Sequence, residues 1–400
     1  MTEAEILVIG GGIAGVCTAY FLARHGREVA LLERGKIASE ASGVNAGSIT
    51  VIGWGNAPDL ESHLTMGSLE MFKSLQLDQG YDIEFRQAGG LLAVHTAEQH
   101  DYAQARVHRL RSQGYAVELL SNREARCIEP EVNGEMPGYV YRPLRSQADP
   151  VKATRAFAAA AARLGAQIME GHEVTGLRAR GPGGYEVDTS QGQFRGETLV
   201  LAAGAWCGPL GRMLGLDVPI VPVRGQMWAT EALPPRVHLG IGSVESAHFW
   251  SGEERQLGDG PPELTHRGGR RVTRHLYGRQ RRNGEVIIGG DRQAEGFDRL
   301  VDREGIEVNR DHAAEVLPFL EGVAVRRTWA GLMPFTPDGR PVIGRLPFLE
   351  NAFIVSGLAS SGFGRGPMAG KLLADYVHSG HRAPVLEVGA RGRRVGWGGA

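Results

Sequence analysis

Apolar and polar positions fall in blocks along this chain. Ile6–Ile9 is a four-residue apolar run, a helix-forming stretch follows over Ile13–Arg24, and a second apolar run, 29–32, ends at the acid Glu33. Short runs that are apolar at every position predict strands covered on both faces, and a helix between two of them predicts a β-α-β unit. Helical patterning returns over residues 60–77 and 98–113. Asp149 followed by Pro150 reads as an N-cap with proline at N1 of an alanine-rich helix, which runs through Leu164 and is closed by Gly165. The segment AQIMEG (166–171) begins a new strand, residues 171–197 read as a glycine-turned β-meander, and LVLAAGAW (199–206) as an apolar strand entering a tight turn. Between Pro219 and Gly290 the stretches VRGQMWAT, HLYGRQ and EVIIGG predict a longer antiparallel sheet. The polar, turn-rich residues 251–271 read as a loop. Residues 353–355 predict a further strand, followed by a glycine-rich loop and a helix over 367–377. The last 20 residues, basic and glycine-rich, predict a loose tail.

The opening unit also carries chemistry. Gly10, Gly12 and Gly15 stand in a G-x-G-x-x-G register between the first strand and the helix, and Glu33 ends the second strand. Such a turn lets backbone approach a pyrophosphate at a helix N-terminus, and the acid accepts hydrogen bonds from ribose hydroxyls. Strand, glycines, helix, strand and acid in that order predict a dinucleotide site. No second such fingerprint follows. If the ligand is a flavin, its electrons come from the substrate and not from a nicotinamide cofactor; a single-site NAD dehydrogenase is the alternative reading.

Composition narrows the class further. A 42% hydrophobic chain of 400 residues can bury a large core and is expected to divide into two domains. A formal net charge of −1 argues against nucleic acid or a polybasic membrane surface as partner. Cys17, Cys127 and Cys207 are too dispersed for a zinc site or an iron–sulfur cluster, so no metal is expected, and the spacing fits a reducing compartment. The acidic start MTEAE leads straight into the first strand without a signal-peptide pattern, and no apolar run is long enough to span a membrane. A cytoplasmic location is therefore expected.

Seven motifs in order give a resemblance that covers nearly the whole chain. They are GGGIAG with Glu33, SGVNAG (42–47), SQADP (146–150), LAAGAW (201–206), PVRGQ (222–226), TWAGLMPFTPDGRPVIG (328–344) and GLASSGFGRGPMAG (357–370). Together they resemble the FAD-dependent amino acid and amine oxidoreductases: D-amino acid oxidases and dehydrogenases, glycine oxidase, sarcosine oxidases and opine oxidases. The resemblance implies an α/β fold (α+β overall). A Rossmann-like FAD-binding domain would be assembled from 1–80, 148–218 and 325–380, and a mainly antiparallel substrate domain from 81–147 and 219–324, with 381–400 a flexible tail.

It also implies a placement for FAD. Gly10, Gly12, Ile13, Ala14 and Gly15 would cradle the pyrophosphate, with Glu33 on the ribose and Arg34 beside the adenine. Ser42, Asn45, Ala46, Gly47 and Ser48 would bracket the pyrophosphate and isoalloxazine. Val174 would hold the adenine through its backbone, and Ala203, Gly204 and Trp206 would pack near the adenosine or ribityl portion. Gly331, Gly362, Phe363 and Gly364 would close the pyrimidine end of the ring with backbone N–H groups, which suits the negative charge of reduced flavin.

Three departures from the family pattern bear on activity. Gly331 stands where monomeric sarcosine oxidases attach flavin to a cysteine, so non-covalent FAD is expected. Met333, in GLMP, replaces the arginine of the G-L-R-P stretch that grips the substrate carboxylate in glycine oxidase and D-amino acid oxidases. In the final loop, Ser361 and Gly364 replace a histidine and a lysine. A carboxylate buried without a cation costs a great deal, so either the substrate lacks one there or another arginine reaches it. Arg365, Arg274, Arg279 and Arg224 are the candidates, Arg224 being better suited to a structural role. Met333, Tyr277 and Arg365 are placed at the substrate. So is His248, beside Phe249 and Trp250, although an ordinary half-buried strand also explains that cluster.

The activity implied is oxidation of a C–N bond: a hydride leaves the carbon beside an amine nitrogen for flavin N5, and the resulting imine hydrolyses. GLMP and YGRQ point toward secondary amines or N-substituted amino acids. The partners are then a small amine or amino-acid substrate and oxygen or another acceptor, with homo- or hetero-oligomers open. A deaminating D-amino acid oxidase or dehydrogenase, and a flavin-bearing subunit of an electron-transfer complex, remain as alternatives.

Overall fold

The computed structural model describes residues 1–52, 58–181, 184–250, 265–267, 270–273, 275–390 and 398–399. Its first sheet has six strands in the order Val342–Arg345, Ala352–Ser356, Thr198–Leu201, Ile6–Ile9, Val29–Glu33 and Gln167–Glu170. All pair in parallel except the edge strand Val342–Arg345. The all-apolar runs have a simple cause: alternate residues serve two different cores. Ile6, Val8, Val29, Leu31, Val200 and Val355 pack against helices on one face. Leu7, Ile9, Ala30, Leu32, Leu199 and Ile354 pack on the other face with Leu177, Tyr185, Val187 and Phe194 of a four-stranded sheet. That smaller sheet contains the meander expected over 171–197, as strands Val174–Arg180, Gly184–Thr189 and Gly192–Gly196.

Helices Ile13–Arg24, Pro150–Arg163 and Gly362–Ser379 cover the first face, and Pro58–Leu77 packs on Gly362–Ser379. The Asp149 cap is present: its carboxylate accepts from the Lys152 amide at 2.9 Å. The last of these helices begins at Gly362, five residues before the expected start at Pro367, which lies inside it. Glycine and an internal proline disguise this helix in the sequence, and tertiary contacts compensate. A methyl group at Gly370 would lie 2.8 Å from the Ala14 carbonyl oxygen, so the two helices cross too closely for a side chain. Just past the proline, the Met368 amide donates to Ser68 Oγ at 3.0 Å.

The second sheet has eight strands in the order Val325–Phe335, Val221–Ala232, Glu285–Gly289, Tyr277–Gln280, Gly240–Ser243, Gly90–Val94, Gly138–Arg142 and Glu118–Leu120. It is antiparallel apart from one parallel pair, Gly240–Ser243 with Gly90–Val94. Strand Val325–Phe335, expected with the nucleotide domain, pairs along its length with Val221–Ala232 and so belongs to this sheet. Helix Arg303–Val316 covers one side, where Trp228 Nε1 donates to Asn309 Oδ1 at 2.8 Å within a large apolar core.

Two further expectations need correction. Residues 245–250, holding His248, Phe249 and Trp250, form a short helix, Glu245–Trp250, and not a strand. The expected loose tail contains the helix Pro384–Ala390 with Leu386 buried, and Gly398–Gly399 pairs with Leu216–Asp217. The loop expected over 251–271 lies largely outside the described residues, as does Arg274.

Candidate active site

The turn after the first strand is built as its glycines require. Gly10 has φ +117°, and a methyl group there would lie 2.6 Å from the Ala202 carbonyl oxygen. At Gly15 a methyl would sit 2.0 Å from the Gly10 carbonyl oxygen, so this residue sets helix against strand. Gly12 is different: a methyl there would meet only the Ser42 side chain, at 3.0 Å. Gly12 is also the N-cap of Ile13–Arg24 and offers no side-chain cap. Ser42 supplies one from 29 residues away, accepting from the Ile13 amide at 2.9 Å. Glu33 is buried and accepts from the Gly11 and Gly35 amides at 2.7 and 2.8 Å, which fixes its carboxylate beside the turn.

A cavity of about 410 Å³ opens from this turn. At this end it is lined by Gly10, Gly12, Ile13, Ala14, Glu33, Arg34, Val174, Ala203, Gly204 and Trp206. The Arg34 guanidinium lies 4.0 Å from the Trp206 ring centre and pairs with Glu40. Farther along, Ser42, Asn45, Ser48, Gly331, Gly362, Phe363 and Gly364 line it. Gly15, Ala46 and Gly47 stand behind this wall. Asn45 Oδ1 accepts from the Gly47 amide at 2.7 Å, and the Ala46 carbonyl accepts from Arg279 Nε.

These features fit a dinucleotide such as FAD. Two helix N-termini without side-chain caps of their own, those of Ile13–Arg24 and Gly362–Ser379, open onto one cavity, and each presents amides suited to an anionic or electron-rich group. A methyl group at Gly331 would lie 2.4 Å from Val44 Cγ2, so a side chain there would collide with the cavity wall. None of the three cysteines lines the cavity; Cys17 and Cys207 are buried, and burial pushes the Cys207 thiol up to about 12.

Beyond Gly331 the second sheet forms the wall, with Met227, His275, Tyr277 and Met333. Burial raises the Tyr277 phenol to about 12, and its hydroxyl donates to Met227 Sδ at 3.5 Å. Burial, with the charges of Arg292 and Arg145 acting the same way, holds His275 well below its ordinary range, so it is neutral.

Of the residues placed at the substrate by sequence, Tyr277 and Met333 reach the cavity, whereas His248 and Arg365 do not. His248 Nε2 lies 3.5 Å from Glu98 Oε1, its ring rests on Tyr102, and Ala247 faces the cavity in its place. Arg365 is buried and pairs with Glu61 at 2.8 Å. Arg279 donates to the Ala46 and Ala148 carbonyls. Arg224 bonds Gln293, Asp298 and the Leu300 carbonyl, the structural role expected of it. Among the described residues, the arginines that line the cavity are Arg34, Arg142 and Arg145. Arg142 and Arg145 were not singled out above, although RPLR (142–145) sets two cations directly after the stretch GYVY, a pattern at odds with simple burial.

One cluster was invisible in the spacing. His95, Glu245 and His312 bring ligand-type atoms within 4.8 Å of one another. The ring nitrogens lie close to Glu315, Ser243, Thr273 and each other, and Gln99 donates to Glu245, so the group forms a hydrogen-bonded knot behind the sheet.

Fold and site define a flavin-linked oxidoreductase, and comparison with known proteins gives its family. The profile of the FAD dependent oxidoreductase family matches residues 5–376, and the chain belongs to that family. It is 30% identical to a glycine oxidase of Pseudomonas aeruginosa over 96% of each chain. It is 28% identical to a sarcosine oxidase subunit beta of an Arthrobacter species, over 93% of this chain and 86% of the relative. The crystal structure of glycine oxidase from Geobacillus kaustophilus superposes with a TM-score of 0.80 at 26% identity, covering 94% of this chain and 95% of that one. Among the described residues no helix is long and apolar enough to cross a membrane.

Proposed function

We propose that this enzyme oxidises the C–N bond of a small amine or N-substituted amino acid. The observation that carries the reading is the single cavity running from the glycine turn and Glu33 to Tyr277 and Met333 of the eight-stranded sheet. The names of the relatives, glycine oxidase and sarcosine oxidase subunit beta, agree with it. FAD held along that cavity supplies the hydride acceptor. Gly12, Ile13 and Ala14 would present backbone to its pyrophosphate, Glu33 would accept from the ribose, and the amides of Gly362, Phe363 and Gly364 would face the pyrimidine end.

The chain's own contribution at the far end is orientation and dryness. Met227, Leu332 and Met333 make the Met333 flank of that end apolar, which favours a neutral amine with its lone pair free. Tyr277 keeps its proton and acts as a donor, and neutral His275 adds no charge. Neither is placed as a strong base, and an amine whose lone pair assists hydride loss needs none. Orientation alone can account for much of a rate enhancement.

The test is a panel of glycine, sarcosine, N-alkylated amino acids, D- and L-amino acids and simple amines, each assayed with oxygen and with a dye acceptor. Turnover of amines with release of an aldehyde or oxo acid is expected, N-substituted amino acids being preferred. Turnover confined to alcohols or hydroxy acids would overturn the reading.

A further inference from the structure

The substrate-facing wall holds two positive charges without a negative partner. Arg142 ends strand Gly138–Arg142, Arg145 follows in the next turn, and both line the cavity. They are 9% and 5% exposed. Arg142 Nε is buried without a hydrogen-bond partner, and among the described residues its guanidinium makes no hydrogen bond or ion pair. Arg145 donates to Ser48 Oγ at 3.1 Å and makes only long contacts, at 3.5 and 3.4 Å, to the Gly240 and Ile241 carbonyls.

The electrostatics match the geometry. Burial lowers Arg142 to about 9, and the charges of Arg106 and Arg145 push the same way; burial lowers Arg145 to about 10. Both stay charged at neutral pH. A folded chain keeps two buried guanidiniums on one cavity only at a cost, and an anion held between them would offset it. Two other buried arginines show the contrast: Arg365 has Glu61, and Arg224 has Asp298.

Resting on the reading of an amine-oxidising site, we infer that Arg142 and Arg145 form the subsite for the substrate's carboxylate. This pair takes the place of the cation absent at Met333. Met333 lies on the edge strand Val325–Phe335, whereas Gly138–Arg142 is next to the opposite edge of the eight-stranded sheet. The carboxylate is thus gripped from the other flank of the cavity, and the apolar Met333 side is left to the substituents of the substrate. Ser48 links Arg145 to the strand Ser48–Ile49, so the anchor is registered against the segment that brackets the cofactor site. The ligand class is a carboxylate-bearing amine; a simple alkylamine leaves both charges uncompensated.

The direct test uses the flavin-loaded protein, with acetate and its neutral analogue acetamide as probes at constant ionic strength. Perturbation of the visible flavin spectrum and thermal stabilisation are the readouts. Acetate binds the wild type and acetamide binds far more weakly. Arg142→Met and Arg145→Met each retain flavin and weaken acetate by about tenfold or more, the scale of one charge-assisted pair. Arg142→Lys recovers part of the loss. Should Arg142→Met fail to hold flavin, Arg145→Met and Arg142→Lys carry the comparison. Equal binding of acetate and acetamide to the wild type, or acetate affinity unchanged in flavin-loaded variants, overturns the assignment. Acetate binding in a protein that oxidises no amine would leave the anchor standing while the amine reading falls. Turnover of amino acids whose KM is unmoved by Arg142→Met or Arg145→Met would do the reverse.

Discussion

Gly12 and Gly15 stand in one motif, yet a side chain would meet different things at the two positions. At Gly15 it would strike backbone at 2.0 Å, and at Gly12 only the Ser42 hydroxyl at 3.0 Å, which can turn aside. Gly15→Val should therefore unfold the nucleotide unit. Gly12→Val should leave a folded apoprotein that no longer binds FAD, because the branched side chain fills the space a pyrophosphate needs. Flavin content together with the apoprotein melting temperature separates the two; a flavin-replete Gly12→Val protein would contradict the cradle. His275 gives a pH dependence. It is buried with its pKa held down, facing Arg145, Arg292 and Tyr277. As pH falls below about 6.5, the unfolded chain takes up a proton there that the native chain refuses, so stability is full above that pH and declines below it. A His275→Gln variant should show a shallower loss of melting temperature between about pH 7 and pH 5. An unchanged slope would mean that His275 does not carry the effect.

At the level of elements, much of the first sheet was legible in the sequence. Ile6–Ile9, Ile13–Arg24, Val29–Glu33, the Asp149-capped helix and the meander all announce themselves through run length, period and turn residues. Helix Gly362–Ser379 was legible only in its second half, since its first turns consist of residues chosen for close approach to Ile13 and Ala14 and not for helix propensity. The strands Gly90–Val94, Glu118–Leu120 and Gly138–Arg142 were not read individually, because no glycine-turn hairpin or motif marks them and their pairing partners are separated from them in sequence. The same distance hid Arg142 and Arg145: which arginines face a cavity depends on sheet order, which local pattern does not encode. The Asp149 cap tests the element directly. Its side chain both caps the helix and reaches Arg281 at 2.6 Å. Asp149→Ala should destabilise the protein by about 2 kcal/mol in urea unfolding, and Asp149→Asn, which keeps the cap, by less. Equal losses would assign the whole effect to the ion pair.

Across the whole molecule, the six-stranded sheet borders the end of the cavity proposed for the nucleotide and the eight-stranded sheet the end proposed for the substrate. The motifs that made the resemblance visible fall mostly along the first part of that cavity, where backbone geometry leaves little freedom. At the far end the reading turned on single side chains: Met333 stood out because it departs from the G-L-R-P pattern, whereas Arg142 and Arg145 belong to no motif of the resemblance. With Gly331 pressed against Val44 and no cysteine on the cavity wall, FAD should be released into the supernatant by heat or acid. Flavin that remained with the precipitated chain would require a covalent link through another residue. The central claim, that electrons enter from an amine, is tested most directly by anaerobic titration of the flavin-loaded enzyme with amines and amino acids, which needs no knowledge of the electron acceptor. An N-substituted amino acid should bleach the visible flavin band fully, and its Nα-acylated derivative, with no basic lone pair, should not. A band that no amine or amino acid bleaches, but that a nicotinamide cofactor does, would contradict the account.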